Sequence, residues 1–266
     1  MPVNQNIDQG KYYDWGRVSA DYAKYRDIYP EEFFQRIADL GLCANGQMVL
    51  DLGTGTGVLP RNMYRYGAQF TGTDISENQI AEARRLTEEC GMKIDYLVSP
   101  AEELKFPKNT FDVVTACQCF FYFDHIKVMP KIAEMLKPGG CLVVLYMVWL
   151  PQEDKIAQAS ENLVLKYNPV WSGANATKQP VYIPEIYGQM FEKETEFLYD
   201  LDVPFTRETW NGRMKACRGI GASLSDKQIA DFEKEHRELL NKIAPEHFTI
   251  RHYAAVTVLR VKKSGQ

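Results

Sequence analysis

The residues best suited to bind a ligand follow a short apolar run. Residues 48–57 read Met-Val-Leu-Asp-Leu-Gly-Thr-Gly-Thr-Gly, and Asp74 ends the next apolar run. Gly53, Gly55 and Gly57 allow a sharp turn and let a ligand approach the backbone closely. A strand, a glycine-rich turn and a helix N-terminus in this order form a nucleotide-sized crevice at the carboxyl edge of a parallel sheet.

The carboxylates of this region discriminate between possible ligands. Asp74 is placed to accept both hydroxyl groups of an adenosine ribose. Asp51 lies at the start of the turn, where it would repel a pyrophosphate but tolerate a cationic ligand. The glycine spacing also differs from the dinucleotide pattern Gly-x-Gly-x-x-Gly, because Val58 stands at the last position. Both features favour S-adenosylmethionine, which carries an ammonium and a sulfonium group and no phosphate.

At these residues the chain resembles the class I S-adenosylmethionine-dependent methyltransferases, in particular the small-molecule, type 11-like branch. Residues 99–114 match the exit of that family's third strand and its fourth strand, and Leu-Lys-Pro-Gly-Gly at 136–140 matches the turn before its fifth. The matching stretch covers about residues 20–148. The resemblance implies S-adenosyl-L-methionine as cofactor, S-adenosyl-L-homocysteine as product and a small-molecule methyl acceptor.

The resemblance also implies a set of residues that contact the cofactor. The glycine turn is expected against its methionine part, Asp51 near the amino group, and Ile75 on the adenine. Relatives often have an Asp at the position of Pro100, and Glu102 is a candidate for the missing adenine acceptor. The whole expected set is Tyr22, Arg26, Asp51, Gly53, Thr54, Gly55, Gly57, Asp74, Ile75, Pro100, Ala101, Glu102, Cys117 and Gln118.

Methyl transfer from a sulfonium needs few catalytic groups. The sulfur leaves as a neutral thioether, so no acid is required, and a base matters only for an acceptor that carries a proton. The candidates for the acceptor site are Tyr122, His125, Trp210 and Arg213, and for each of them a purely structural role is favoured over a catalytic one. Arg213 with Arg218 would suit an acidic substrate. No catalytic residue is assigned from the sequence.

Alternating strand and helix patterns predict the scaffold that positions these residues. We expect an α/β fold with a doubly wound, mostly parallel, seven-stranded Rossmann-like sheet and a helical, aromatic insertion over the active site. Strands are predicted at 48–52, 69–74, 93–98, 111–117, 141–148, 192–203 and 248–261. Residues 1–266 are predicted to form one domain with an N-terminal lid (1–30), a substrate-covering insertion (151–190) and a late helical segment (206–243).

Composition narrows the class of protein. Net charge is −4, which disfavours a nucleic-acid partner. The six cysteines have no metal-ligand spacing, so we expect no metal and reduced thiols in the cytoplasm. No apolar run is long enough for a membrane span, and no secretory signal is visible. The sequence leaves a monomer and a homodimer equally open.

Three other functions compete with small-molecule methyl transfer. Methylation of tRNA or protein is disfavoured by the acidic balance and by the lack of an appended basic domain. A nicotinamide-dependent oxidoreductase is disfavoured by Asp51 and by the glycine spacing. A non-catalytic module that keeps the fold would be expected to have lost the cofactor residues, and here they are intact.

Overall fold

A seven-stranded sheet is the framework of the computed structural model, which describes residues 7–262. The strand order is β3-β2-β1-β4-β5-β7-β6. The strands are β1 (Met48–Leu52), β2 (Gln69–Asp74), β3 (Asp95–Val98), β4 (Phe111–Cys117), β5 (Leu136–Trp149), β6 (Phe191–Thr206) and β7 (His247–Val261). The first five pair in parallel. The predicted α/β class with a mostly parallel sheet is confirmed.

The described residues divide into two compact units. The core unit comprises residues 30–147, 179–199 and 254–262, and the helical unit comprises 7–29, 148–178 and 200–253. The predicted insertion is divided between them, with 151–178 in the helical unit and 179–190 in the core unit. The first six residues of the predicted lid lie outside the described residues.

Eight α-helices accompany the strands in the described chain. They are α1 (Ser19–Tyr25), α2 (Glu31–Asp39), α3 (Val58–Met63), α4 (Glu77–Glu89), α5 (His125–Met135), α6 (Lys155–Tyr167), α7 (Arg207–Lys215) and α8 (Asp226–Ile243). Side-chain caps set several starts. Ser76 accepts from the backbone N–H of Gln79 at α4, and Ser225 and Gln228 form a reciprocal capping box at α8. In the described residues no helix has both the length and the apolar character to cross a bilayer.

The interior of the core unit is built from strands that are apolar on both faces. Leu50 and Leu52 of β1 and Val114 and Ala116 of β4 are fully buried. Such strands belong at the centre of a parallel sheet with helices on both sides. The strand order reverses between β1 and β4, because β2 and β3 lie on one side of β1 while β4 and β5 lie on the other. Open α/β sheets bind ligands at such a point.

The main departure from the predicted elements is at the start of β5. The strand begins at Leu136 rather than at residue 141, and its pairing with β4 shifts from Phe111↔Leu136 to Val113↔Cys141. The Pro-Gly-Gly segment therefore forms a bulge inside the strand rather than a turn before it, and Gly139 takes a φ of +80°. In the late helical segment predicted at 206–243, α7 ends at Lys215 and α8 begins at Asp226.

Candidate cofactor site

The glycine turn after β1 has a backbone conformation that residues other than glycine adopt only with strain. Gly53, Gly55 and Gly57 have φ angles of +58°, +56° and +73°. The turn is tied to the neighbouring strand, because the backbone N–H of Thr54 donates to the carbonyl of Thr73 at 2.8 Å. The turn is thus held rigidly beside the carboxyl end of β2.

Two of these glycines are also enclosed by neighbouring side chains. A Cβ built on Gly53 would lie 2.7 Å from Cβ and 2.8 Å from Sγ of Cys119, and one built on Gly57 would collide with the hydroxyl of Tyr96. The positions therefore require glycine both for their backbone conformation and for their lack of volume.

This enclosure predicts the effect of alanine at Gly57. Gly91 has a similar φ of +64°, but nothing lies within 4 Å of the position that a Cβ would take there, so it reports the backbone strain alone. We expect Gly57→Ala to lower the free energy of unfolding by about 1–3 kcal/mol more than Gly91→Ala, because it adds steric overlap. Urea unfolding of both variants measures the difference. Adding Tyr96→Phe to Gly57→Ala should recover part of it; equal losses for the two alanines would contradict the steric argument.

Asp74 closes the site at the end of β2. One carboxylate oxygen accepts from the backbone N–H of Gly55 at 2.9 Å, and the other accepts from that of Ser76 at 2.8 Å. Burial raises the pKa of Asp74, while the backbone N–H bonds of Ser76, Gly55 and Ile75 oppose the rise. A carboxylate offers about four acceptor positions, so each oxygen can still accept a ligand hydroxyl.

Asp51 is a buried carboxyl group without a positively charged partner among the described residues. It is 1% exposed, and its Oδ1 accepts from the hydroxyl of Thr115 at 2.6 Å. Burial raises its pKa to about 7. The hydrogen bond from Thr115 and the nearby hydroxyl of Thr54 lower the pKa, and the charge of Asp74 raises it further. A cationic ligand near this group would be stabilised by its ionised form.

The residues predicted to face the adenine differ in their exposure and in their hydrogen bonds within the protein. Ile75 leaves 44% of its surface exposed, which suits a platform for an apolar ring. Ala101 is buried in the short 3-10 helix that follows Pro100. The carboxylate of Glu102 accepts from the backbone N–H of Asp124 at 2.9 Å. Glu102 therefore already has an internal partner, which weakens the expectation that it replaces the missing adenine acceptor.

The backbone directly after β4 has an unusual conformation. Gln118 has a φ of +63°, and its side-chain amide donates to the carbonyl of Met147. Such strain in a residue other than glycine is typical of functional sites. The thiol of Cys119 donates to the carbonyl of Leu52 at 3.0 Å, and burial holds its pKa well above the ordinary value. The raised pKa disfavours the reactive thiolate form of Cys119, which suits a packing role.

Two acceptor-site candidates of the core unit follow the same strand. Nδ1 of His125 lies 3.1 Å from the hydroxyl of Tyr187, and burial lowers the pKa of the imidazole. The ring of Tyr122 stacks at a tilt on Phe121, with centroids 4.2 Å apart. His125 is therefore neutral near pH 7 and could accept a proton.

The remaining candidates belong to the helical unit. The guanidinium of Arg26 lies 4.6 Å from the ring centroid of Tyr22. Trp210 is completely buried and its indole N–H donates to the hydroxyl of Ser160 at 2.9 Å, which favours a packing role over acceptor contact. The predicted Arg213–Arg218 pair does not act as a unit, because Arg218 is already bound by Asp8.

Sequence reasoning missed two contributors to the site. Thr115 supplies the hydrogen bond to Asp51, and Tyr96 fills the space beside Gly57. Thr115 could have been found as the one hydroxyl in the otherwise apolar part of β4 after Asp112. Tyr96 carried no local signal, because its contact depends on the pairing of β2 with β3.

Known proteins are similar to this chain over the region of the glycine turn. A family model described as a methyltransferase domain matches residues 50–144. A ubiquinone biosynthesis O-methyltransferase from Bradyrhizobium diazoefficiens is 35% identical over 120 residues, 45% of this chain and 47% of the relative. One from Marinobacter nauticus is 30% identical over 180 residues, 62% of this chain and 74% of the relative. The chain spans about half the length of the first curated relatives it matches.

The fold itself is shared with solved structures of low sequence identity. The crystal structure of the YcgJ protein from Bacillus subtilis superposes with a TM-score of 0.53, covers 89% of this chain and 100% of its own, and is 18% identical. Identity at this level supports the fold alone. The Marinobacter relative supplies the stronger link, because the match extends over most of its length. The chain therefore belongs to the class I S-adenosylmethionine-dependent methyltransferases.

Proposed function

We propose that the chain transfers a methyl group from S-adenosylmethionine to a small-molecule acceptor. The observation that carries the proposal is the glycine turn, which is closed by Asp74 and lies above the buried carboxyl group of Asp51. S-adenosylmethionine is the methyl donor of this family, and its ammonium, sulfonium and ribose suit two carboxyl groups better than any phosphate would.

The same geometry supports roles for the individual residues. Asp74 would bind the ribose hydroxyls, the turn would lie along the methionine part, and Ile75 would pack on the adenine. Asp51 would favour the ammonium by charge. Cys117 and Gln118 would line the path of the methyl group, while Pro100 and Ala101 would lie at the edge of the adenine ring. Tyr22 and Arg26 remain predicted cofactor contacts from the lid.

The chemistry is an in-line displacement. A lone pair of the acceptor forms a bond to the methyl carbon as the bond from that carbon to sulfur breaks. The electron pair stays on sulfur, which becomes the neutral thioether of S-adenosylhomocysteine. The chain's contribution is to hold the two reactants in line and to exclude water. An acceptor that starts protonated loses its proton to solvent or to a base, for which neutral His125 is the candidate of the core unit.

A small acceptor is favoured over RNA or protein. The net charge is −4, whereas RNA binding depends on neutralising phosphates with a basic face. Matched relatives are named for O-methylation in ubiquinone biosynthesis, which points to small-molecule substrates in this part of the family. The cytoplasmic location and the choice between monomer and homodimer stay predictions.

Methyl-labelled S-adenosylmethionine tests the proposal. The protein is incubated with label and cell extract, and the products are separated into small-molecule, nucleic-acid and protein fractions. We expect label in the small-molecule fraction, and much less with Asp74→Ala, whose affinity for the cofactor is expected to be strongly weakened. Label that depends on Asp74 but appears in RNA or protein would contradict the small-molecule acceptor and leave methyl transfer standing.

A further inference from the structure

The segment that follows β4 is aromatic and lies directly on the glycine turn. Residues 120–123 read Phe-Phe-Tyr-Phe and form a short 3-10 helix with its C-terminal cap. Just before them, the thiol of Cys119 donates to the carbonyl of Leu52 at the end of β1. The tip of the Phe123 ring lies 4.0 Å from the position that a Cβ on Gly53 would take. The aromatic segment is therefore fixed against the candidate cofactor site, within the core unit.

Strand register brings Tyr146 of β5 to the same place. Cys117 of β4 pairs with Leu145, and the backbone N–H of Gln118 donates to the carbonyl of Leu145 at 2.9 Å. Tyr146 directly follows this pair, at the carboxyl ends of both strands. It therefore stands beside Cys117 and Gln118, which would line the path of the methyl group.

Phe121 and Tyr146 form what we call the aromatic corner. Their ring centroids lie 6.5 Å apart, with the rings at 84° to each other. Phe121 also contacts the ring of Tyr122, with centroids 4.2 Å apart. Phe121 leaves 43% of its surface exposed, and Tyr122 and Tyr146 are half-buried. A single exposed apolar side chain is ordinary, but three adjoining rings beside a ligand-binding turn are typical of a pocket wall.

The polar groups beside the aromatic corner favour recognition by apolar contact over recognition by charge. The amide of Gln118 donates to the carbonyl of Met147, and the thiol of Cys119 donates to that of Leu52. Burial lowers the pKa of His125, so its imidazole is neutral near pH 7. None of these three described side chains offers a charge to an ionic acceptor, so contact with the rings is the larger source of affinity.

We propose that the aromatic corner binds the methyl acceptor, and that the acceptor carries its nucleophilic atom on a planar aromatic ring. This inference rests on the proposed function. A planar ring can stack offset on one ring of the corner while it meets the other edge to face, and these are the two arrangements that aromatic quadrupoles favour. Covering the exposed part of Phe121 adds a hydrophobic contribution. A saturated acceptor of the same size would gain only the hydrophobic contribution.

Calorimetric titration tests the requirement for a ring. With S-adenosylhomocysteine at saturation, the full chain is titrated with phenol, catechol and naphthol, and with their saturated counterparts cyclohexanol, cyclohexanediol and decahydronaphthol. We expect the best aromatic ligand to bind about 2–10-fold more tightly than its saturated counterpart, as one aromatic pair implies. Equal affinities within every pair, or no binding of any aromatic ligand, would overturn the proposal.

Two leucine variants locate the preference in the molecule. Phe121→Leu keeps an apolar side chain but removes the ring, so the ratio of aromatic to saturated affinity should fall towards one. Tyr182→Leu is the matched control, because Tyr182 is an aromatic residue of the core unit that is 79% exposed and lies outside the aromatic corner. It should leave the ratio unchanged. A ratio that survives in Phe121→Leu, or that is lost equally in the control, would refute the assignment to the corner.

The affinity for S-adenosylhomocysteine distinguishes an acceptor contact from other roles of the ring. We expect Phe121→Leu to bind it as tightly as wild type does. A parallel loss of this affinity would assign Phe121 to the cofactor or to the fold, and would overturn its role as an acceptor contact. Failure of wild type to bind S-adenosylhomocysteine would instead contradict the proposed function itself.

The labelled product from cell extract provides an independent test of the acceptor class. We expect the labelled small molecule to absorb in the near ultraviolet as an aromatic ring does, and its yield at limiting extract to fall about 2–10-fold with Phe121→Leu. A labelled small molecule without an aromatic ring would overturn this inference and leave methyl transfer to a small molecule standing.

Discussion

Asp74→Ala is expected to weaken S-adenosylhomocysteine binding by about 100- to 1,000-fold. In the role proposed for Asp74, the variant would lose two hydrogen bonds between a charged carboxylate and the ribose hydroxyls. Each of them would contribute about 1.5–2 kcal/mol, and each 1.4 kcal/mol is tenfold in affinity. It also removes the acceptor for the backbone N–H groups of Gly55 and Ser76, so the turn itself is less well held. Isothermal titration calorimetry measures the affinity directly.

Two further variants separate the causes of this loss. Asp74→Asn keeps a side chain of the same shape with one acceptor oxygen, so we expect about a tenfold loss, because the charge is gone but the turn stays partly tied. Asp95→Ala is the control, since Asp95 is an exposed residue at the start of the neighbouring β3. A loss below about threefold for Asp74→Ala would place the ribose elsewhere, since one charge-assisted hydrogen bond is already worth more.

The sheet could be predicted because its signals are local. The apolar runs of β1 and β4 and the glycines between β1 and α3 specify a buried strand, a turn and a helix within a few residues of one another. The cap at Ser76 and the capping box at Ser225 likewise depend on residues three apart. Each of these elements is found where its own sequence places it.

Features that depend on pairing between distant segments could not be predicted. The bulge at 136–140 arises from the register of β5 on β4, and the same Pro-Gly-Gly residues are equally typical of a helix end. Arg213 and Arg218 are five residues apart and look alike in sequence. Only the fold gives one of them Asp8, more than 200 positions away, and leaves the other without a carboxylate among the described residues.

The second large effect is expected from the pH dependence of stability at Asp51. Its pKa rises from 3.8 in the unfolded chain to about 7 in the folded one. Between these values the unfolded state is ionised while the folded state holds a proton, so the free energy of unfolding falls as pH rises. When pH rises from 5 to 8, only the two pH units between 5 and the folded-state pKa of about 7 contribute to this effect. At 1.36 kcal/mol per unit, the free energy of unfolding falls by about 2–3 kcal/mol.

Asp51→Asn isolates this contribution from that of every other titrating group. The asparagine oxygen can still accept from Thr115, so the local packing is preserved, but the side chain no longer ionises. Urea unfolding at pH 5 and pH 8 should show that wild type loses about 2–3 kcal/mol more than the variant over this range. Parallel pH profiles for the two proteins would mean that Asp51 is ionised in the folded state throughout.

Ligand binding should reverse the same proton equilibrium. An ammonium group near Asp51 favours the ionised carboxylate, so the cofactor product would lower the pKa of Asp51 and release a proton below pH 7. Its affinity should then rise by up to about tenfold per pH unit between pH 5 and pH 7, and Asp51→Asn should flatten that slope. Calorimetry in two buffers with different ionisation enthalpies counts the released protons. If wild type releases no proton at pH 6, Asp51 does not interact with the ammonium group. Its role would then be structural, as the hydrogen-bond acceptor for Thr115 at the start of the glycine turn.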